Sequence, residues 1–353
     1  LLVRMNAEPG TRYASPILFR GLEPIVHGRY PNDGPHALRQ AWFDTVTQSD
    51  MWASLAIGMT RAWGCETGRY GATVRLGVAD FVFDHNNPDL DSNVSGYLPL
   101  APVGLAHSDS VGLPGFKTHG TAVAGALAAR GDNAIGIAGV MWTAHLDLFE
   151  LAASDSVPRD PGKHFATVVL PLAASRHVRV LSVSVELPVP GGTDGLFARK
   201  QMEDGIRDYV NADNVLIFSL PNVPTWQPAS FFANDPGLIG AALAHLIDTG
   251  DSVAQRGVIM VSGTAPNNQF WSSSAAITGN IDDVIAAPSL LVTSLLAGGG
   301  GNIARFTGNS LAAPLVTGVA GLLLTMDPTL SAGDIKSYVL RGAREPLLSD
   351  TSG

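Results

Sequence analysis

The chain has 353 residues, of which 46% are hydrophobic and 15% charged, and its formal net charge is −9. This composition is typical of a core-rich globular protein and excludes a disordered or fibrous chain. The acidic balance, with no cluster of basic residues, argues against a nucleic-acid partner. No apolar run reaches the roughly 18 to 20 residues of a transmembrane helix, so we expect no membrane span.

Residues 1–50 are mixed in pattern and contain the turn-forming run Tyr-Pro-Asn-Asp-Gly-Pro at 30–35. From Val74 onward, short apolar runs alternate with longer amphipathic segments. The short runs predict strands at Val74–Ala79, Leu146–Leu151, Val178–Val185, Val215–Leu220, Gly257–Val261 and Val284–Ala287. The longer segments predict helices at His119–Arg130, His164–Ser175, Leu196–Asn211, Leu238–Ile247, Ser310–Met326 and Ser331–Arg341. This alternation predicts an α/β fold of three layers, with a mainly parallel, twisted sheet between two layers of helices.

Functional groups in such sheets gather at the carboxyl ends of the strands. Asp80 ends the first predicted strand there, although taken alone it is better explained as a turn residue or a helix cap. His119 opens a predicted helix of small residues in the segment Thr118–Gly125. It either projects outward from the helix or is a capped, structurally satisfied histidine.

Ser310 lies in the segment Thr307–Pro314, at the start of a long apolar helix. The N–H groups at a helix N-terminus favour negative charge, which is what a developing oxyanion needs. The alternative is an ordinary N-cap serine.

Together the three segments resemble the subtilisin family of serine peptidases, which carries its residues in the order Asp, His, Ser. The segment around Asp80, with Pro-Asp-Leu following at 88–90, resembles the family strand that ends in aspartate. The segment around His119 is similar to the family's His-Gly-Thr-His-Val-Ala-Gly. The segment around Ser310 is similar to its Gly-Thr-Ser-Met-Ala-(Ser/Ala)-Pro. The resemblance covers about residues 31 to 345 and implies the subtilisin-like fold.

The resemblance implies a role for each matching residue. Ser310 would attack the scissile carbonyl, His119 would take its proton, and Asp80 would orient the histidine. Asn222 would donate its side-chain amide to the oxyanion, together with the Ser310 backbone N–H. Asn309, where the family usually has threonine, would be either a further oxyanion donor or a residue that satisfies a turn.

Three residues are predicted to line the substrate groove. Ser184 ends a segment that is similar to the family's groove strand, and Ser219 lies near the end of the next one. Glu186 occupies the place of a glycine in the family. Its carboxylate would either favour a basic substrate side chain through a charge-assisted hydrogen bond or point to solvent.

Two departures from the family pattern bear on the site. Phe81 follows the aspartate where the family has serine, which adds bulk beneath the histidine. Pro221 precedes Asn222 where glycine is usual, and it could re-aim the amide because proline fixes φ and lacks an N–H.

We therefore predict a serine endopeptidase that acts on a protein or peptide through an acyl-enzyme. One alternative is a catalytically weakened domain that binds peptides or serves as a scaffold. Another is a specialised processing peptidase or a peptide transferase. The predicted organisation is an N-terminal extension or prosegment tail over residues 1–30 and a peptidase domain over 31–353.

No cofactor is expected to be required. The remaining histidines lack metal-ligand spacing, so no metal site is predicted from them. The resemblance leaves calcium as an option at acidic loops such as Asp84–Asp91. It also favours a secreted or extracytoplasmic location.

Overall fold

The computed structural model describes thirteen parts of the chain: residues 29, 31–33, 51–68, 74–99, 114–151, 161–187, 193–222, 226–228, 237–266, 269–274, 276–278, 283–298 and 300–343. Apart from Arg29, the predicted N-terminal extension over 1–30 lies outside the described residues, and its boundary stays a prediction.

The described strands, in chain order, are β1 (Arg75–Asp80), β2 (Val94–Leu98), β3 (His145–Glu150), β4 (Val178–Val183), β5 (Val215–Ser219), β6 (Trp226–Pro228), β7 (Val258–Thr264), β8 (Ala276–Thr278), β9 (Val284–Pro288), β10 (Val292–Leu295) and β11 (Ile303–Phe306). Seven of them form one parallel sheet in the order β2-β3-β1-β4-β5-β7-β9. Two small sheets lie outside it, β6 with β8 and the antiparallel pair β10 with β11.

The helices are α1 (Trp52–Ala56), α2 (Met59–Cys65), α3 (Pro114–Ala128), α4 (Pro161–His164, continued by a π-helical turn at Phe165–Val169 and by Leu170–Ser175), α5 (Thr193–Asn211), α6 (Leu238–Asp248), α7 (Ser252–Gly257), α8 (Ala312–Met326) and α9 (Ala332–Gly342). A short 3₁₀ turn, Asn309–Leu311, immediately precedes α8.

The sheet is buried on both faces, which is why its strands read as continuous apolar runs. Every residue of β5 is buried, and its side chains alternate between two separate cores. Ile217 faces the core that contains the buried side of α3 and α8, whereas Leu216 faces the core that contains α5 and α6. The three-layer α/β/α fold with a parallel sheet is thereby confirmed.

Helix α8 packs closely against the segment that links α3 to β3. A Cβ atom at Gly318 would lie only 2.4 Å from the Val140 side chain, so glycine is required for this close approach. Within the described residues, Asn309–Met326 is the one helical segment long and apolar enough to cross a membrane, and 78% of it is buried inside the domain. It is the central helix of the core.

Five of the six predicted helices begin at residues other than those predicted, and two of these differences concern the site. Helix α3 begins at Pro114, so His119 lies within the helix and not at its start. Proline at the first position of a helix is favourable, because its missing N–H would have no partner there. Ser310 lies in the 3₁₀ turn before α8 and is not the first residue of the α-helix.

Candidate active site

Three of the predicted site residues lie at the same edge of the sheet. Asp80 is the last residue of β1, Ser184 directly follows β4, and Asn222 lies just beyond β5. Because β1, β4 and β5 are neighbouring parallel strands, their carboxyl ends are adjacent. The chain topology thus brings these residues to one rim, where open parallel sheets commonly place their active sites.

The structure joins Asp80 to His119. The distance between Asp80 Oδ1 and His119 Nδ1 is 2.8 Å. The carboxylate is fully buried, whereas 32% of the histidine side chain is exposed. The Phe81 backbone N–H also donates to Oδ1, at 2.7 Å, and so helps to hold the carboxylate. With Nδ1 bonded to Asp80, Nε2 is left as the ring nitrogen that can exchange a proton.

Two opposing effects act on the pKa of His119. Burial alone would lower this pKa, because it disfavours the charged imidazolium. The negative charge of Asp80 and its hydrogen bond to the ring raise it, and the pKa ends above its ordinary value of 6.5. The Asp80 contact therefore makes His119 a stronger base than a free histidine.

The segment after Asp80 packs tightly against helix α3. A Cβ atom at Gly120 would lie 2.3 Å from the Val82 carbonyl oxygen, so the helix can approach this closely only with glycine at that position. The Asp84 backbone N–H donates to Thr121 Oγ1 at 2.9 Å. The Phe81 ring lies beside the imidazole, with 6.1 Å between the ring centroids. The bulk predicted at this position is therefore in contact distance of the histidine and leaves its bond to Asp80 intact.

Ser310 is held at the end of β4 by a reciprocal pair of hydrogen bonds. Its hydroxyl donates to the Ser184 carbonyl oxygen at 3.2 Å, and the Ser184 hydroxyl donates to the Ser310 carbonyl oxygen at 2.9 Å. In the described part of the chain, no hydrogen bond joins Ser310 to His119. Such bonds often tighten only when a substrate is bound.

Asn222 is attached to the turn that carries Ser310. Its side-chain Oδ1 accepts the Asn309 backbone N–H at 2.9 Å, while the residue itself is exposed. Pro221 therefore does not turn Asn222 away from the serine. With the amide oxygen bonded, the amide nitrogen is directed to the opposite side of the side chain.

Asn309 is fully buried, and its side-chain nitrogen donates to the carbonyl oxygens of Leu220 at 2.9 Å and Pro221 at 3.2 Å. Of the two alternatives for this residue, the structure favours the one in which it satisfies a turn. A side chain buried to this extent does not reach a substrate.

Glu186 is bonded to helix α6 at the rim. Its Oε1 accepts the Gly240 backbone N–H at 3.0 Å, at the first turn of α6, and the residue is half-buried. Negative charge at a helix N-terminus stabilises the helix. The carboxylate therefore takes part in the packing of α6 against the rim and does not point freely to solvent, while its selection of a basic substrate side chain stays a prediction. Ser184 and Ser219 both lie at the rim, but they are only 4% and 7% exposed.

The described residues show no cluster of acidic side chains for the calcium option, which stays a prediction. Among them, no group of three Asp, Glu, His or Cys side chains lies close enough to hold a metal ion. In the acidic loop, the Asp89 carboxylate accepts N–H groups from Asn133 at 2.8 Å and from Ile137 at 2.9 Å. An Asp84 oxygen accepts the Gly298 N–H at 2.8 Å. Both carboxylates are thus bonded to N–H donors within the protein.

The chain matches the model of the subtilase family over residues 71–353. It is 27% identical over 271 residues to subtilisin amylosacchariticus of Bacillus subtilis subsp. amylosacchariticus, which covers 76% of this chain and 60% of that protein. It is 26% identical over 365 residues to fervidolysin of Fervidobacterium pennivorans, covering 96% of this chain and 47% of that protein. The chain thus spans less than two thirds of the length of these relatives.

Solved structures of proteases share the fold. The nisin leader peptidase NisP of Lactococcus lactis superposes with a TM-score of 0.63 at 17% identity, over 84% of this chain and 89% of that one. A protease of Pseudoalteromonas arctica superposes with a TM-score of 0.61 at 18% identity, over 90% of this chain and 94% of that one. At these identities the likeness concerns the fold.

Proposed function

Because this chain belongs to the subtilase family of serine peptidases, we propose that it is an endopeptidase that hydrolyses peptide bonds with Ser310, His119 and Asp80. The observation that carries the proposal is the 2.8 Å bond between the buried Asp80 carboxylate and His119 Nδ1. A partly exposed imidazole oriented in this way is the arrangement that a general base for a serine nucleophile requires.

In the proposed reaction, His119 Nε2 takes the proton of the Ser310 hydroxyl as its oxygen attacks the carbonyl carbon of the substrate. Asp80 keeps the ring in the tautomer with its proton on Nδ1 and stabilises the imidazolium. The imidazolium then protonates the leaving amine, which leaves an acyl group on Ser310. Water hydrolyses this acyl-enzyme by the same proton transfers in reverse.

The proposal requires the Ser310 hydroxyl to change its hydrogen-bond partner. It donates to the Ser184 carbonyl oxygen at 3.2 Å, and catalysis needs it to turn toward His119. Rotation about the Cα–Cβ bond moves a serine hydroxyl from one staggered position to another. The Asn222 amide and the Ser310 backbone N–H would then bind the oxyanion.

A fluorophosphonate probe tests this function, because it labels only a serine that is activated as a nucleophile. We expect the parent protein to be labelled and to hydrolyse an unfolded protein substrate, and Ser310→Ala to lose both properties. Ser252 is exposed and distant in sequence from the site, so Ser252→Ala is the matched control and should keep both.

The same experiment separates the alternative functions. A folded parent that binds peptides without being labelled would be the weakened, peptide-binding domain. The hydrogen bond from the Ser310 hydroxyl to the Ser184 carbonyl oxygen favours this alternative, because the hydroxyl then does not donate to His119. Labelling with cleavage of one substrate bond, or with a newly formed peptide bond in the product, would indicate a processing peptidase or a transferase.

A further inference from the structure

A cluster of buried polar side chains lies directly beneath the turn that carries Ser310. Its centre is Asn309, which has no exposed surface. Ser289 Oγ donates to Asn309 Oδ1 at 3.0 Å, and Ser274 Oγ lies 2.8 Å from Asn309 Nδ2. Ser274 in turn bonds to Ser262 Oγ at 2.8 Å, so the cluster reaches into strand β7. Buried polar groups are costly unless they are bonded, and a fully bonded cluster holds a single geometry.

Three further bonds connect Asn309 to three consecutive residues at the end of β5. Its side-chain nitrogen donates to the carbonyl oxygens of Leu220 and Pro221, at 2.9 and 3.2 Å. Its backbone N–H donates to Asn222 Oδ1 at 2.9 Å. Asn309 therefore holds all of the segment 220–222, which ends in the proposed oxyanion donor. Asn309 also directly precedes Ser310 in the chain.

The segment 220–222 needs such support. Leu220 N–H makes a ladder-type bond to the Val261 carbonyl at 2.9 Å, but Pro221 has no N–H with which to continue the sheet. Asn222 is exposed. The side-chain nitrogen of Asn309 binds the carbonyl oxygens of both Leu220 and Pro221. These bonds hold the segment where Pro221 cannot donate a hydrogen bond to the sheet.

We propose that Asn309 is a positioning residue that fixes the Asn222 amide opposite Ser310, an inference that rests on the proposed function. Asn309 is buried and does not touch the substrate. It acts through Asn222, because its side-chain nitrogen binds the carbonyl oxygens of Leu220 and Pro221 and so places the residue that follows them. The bond from its backbone N–H to Asn222 Oδ1 then sets which way the amide nitrogen points. An oxyanion donor is effective when it is held in place before the charge develops. This assignment gives the proline at position 221 a partner that offsets its missing donor.

The test is a double-mutant cycle on kcat and KM for a peptide substrate. Asn222→Ala should lower kcat about 10²- to 10³-fold, as loss of one oxyanion donor does. Asn309→Ala keeps the backbone N–H but removes the side-chain bonds to Leu220 and Pro221, so the segment that carries Asn222 is no longer held in place. This substitution should lower kcat about 10- to 100-fold and change KM less than about threefold, because the donor is misplaced and the groove is intact. In the double variant, kcat should be within about threefold of Asn222→Ala alone, since the residue through which Asn309 acts is already gone.

Asn214 provides a matched control. It is also a buried asparagine, and its Nδ2 donates to the Tyr209 carbonyl at 3.1 Å, but it precedes the other end of β5. Asn214→Ala should lower the melting temperature without changing kcat. If Asn309→Ala fails to fold, Ser289→Ala removes one bond to the Asn309 side chain and should lower kcat about three- to tenfold, again only when Asn222 is present.

Multiplicative losses in the double variant, or an unchanged kcat in both Asn309→Ala and Ser289→Ala, would overturn the assignment while leaving the proposed function in place. A parent protein that neither reacts with the fluorophosphonate nor cleaves peptides would instead overturn the proposed function, and this assignment with it.

Discussion

Buried polar side chains occur at both ends of the central sheet, and their partners differ. In the amino-terminal half of the strands, the fully buried Asp147 of β3 binds two arginines, Arg75 at 2.9 Å and Arg176 at 2.6 Å. At the carboxyl end, the equally buried Asp80 binds one histidine whose ring is partly exposed. A carboxylate saturated by guanidinium groups can only hold structure, whereas one that holds an accessible imidazole can support proton transfer. The partner of a buried carboxylate therefore distinguishes a structural role from a role in proton transfer better than the burial of the carboxylate does.

The comparison is tested most strongly at the nucleophile. Replacement of Ser310 by alanine should lower kcat about 10⁶-fold, because the triad members act as a unit. The melting temperature should stay close to that of the parent, since one hydroxyl is lost from an intact turn. A retained activity measured in a peptide hydrolysis assay would place the nucleophile elsewhere.

Asp80→Asn should lower kcat about 10⁴-fold, because an amide favours the wrong tautomer of His119. KM should change little, as Asp80 is fully buried and does not meet the substrate. Steady-state kinetics with circular dichroism would check both points. An Asp80→Asn protein that is folded and nearly as active as the parent would remove the distinction between the two ends of the sheet.

The pH dependence follows from the raised pKa of His119. The neutral imidazole is the base, so kcat/KM should rise about tenfold per pH unit below the apparent pKa and level off above it. Because the charge and hydrogen bond of Asp80 raise this pKa, the midpoint should lie above 6.5 and should fall in Asp80→Asn. A midpoint that does not move in Asp80→Asn would mean that another group titrates.

The smallest effect on activity is expected for a change of Asp147, in the amino-terminal half of the strands. Asp147→Asn should lower the free energy of unfolding by about 3 kcal/mol, because the pairing of Arg75 and Arg176 with a buried partner is lost. It should leave kcat unchanged. Denaturant titration and peptide hydrolysis measure the two quantities, and a loss of kcat in a folded protein would show that the two ends are coupled.

The alternation of apolar runs predicted six of the seven strands of the sheet, because strands covered on both faces have a continuous apolar pattern. The edge strand β2 was not predicted, since none of its residues is fully buried and its pattern is not continuously apolar. The antiparallel pair β10 and β11 was not predicted. Its strands are four residues each and are separated by the glycine-rich segment at 298–301, which was interpreted as a surface turn. The start of α3 was missed because Pro114 and Gly115 are poor helix formers within a helix, although proline is favourable at its first position.

The motifs correctly predicted that Asp80 and His119 meet, since each lies in a recognisable segment. The contacts of Glu186 and Asn309 could not be predicted in the same way. Glu186 binds the N–H of Gly240, and Asn309 binds Ser274 and Ser289, all of which are far along the chain. Isolated serines and a backbone N–H have no sequence pattern of their own, so only the folded chain identifies them as partners.

The order of the strands has a consequence for how the protein is made. Helix α8 packs against β1, because a Cβ atom at Gly321 would lie 2.8 Å from the Leu76 side chain. A helix near the end of the described chain therefore contacts a strand near its beginning. Contacts between such distant parts of a chain make folding slow. During synthesis the amino-terminal residues emerge first, and β1 lacks the part of its cover that α8 supplies until α8 has been made. A nascent chain that has Asp80 and His119 but not yet Ser310 has neither a closed core nor a nucleophile, so completion of the fold and assembly of the site coincide.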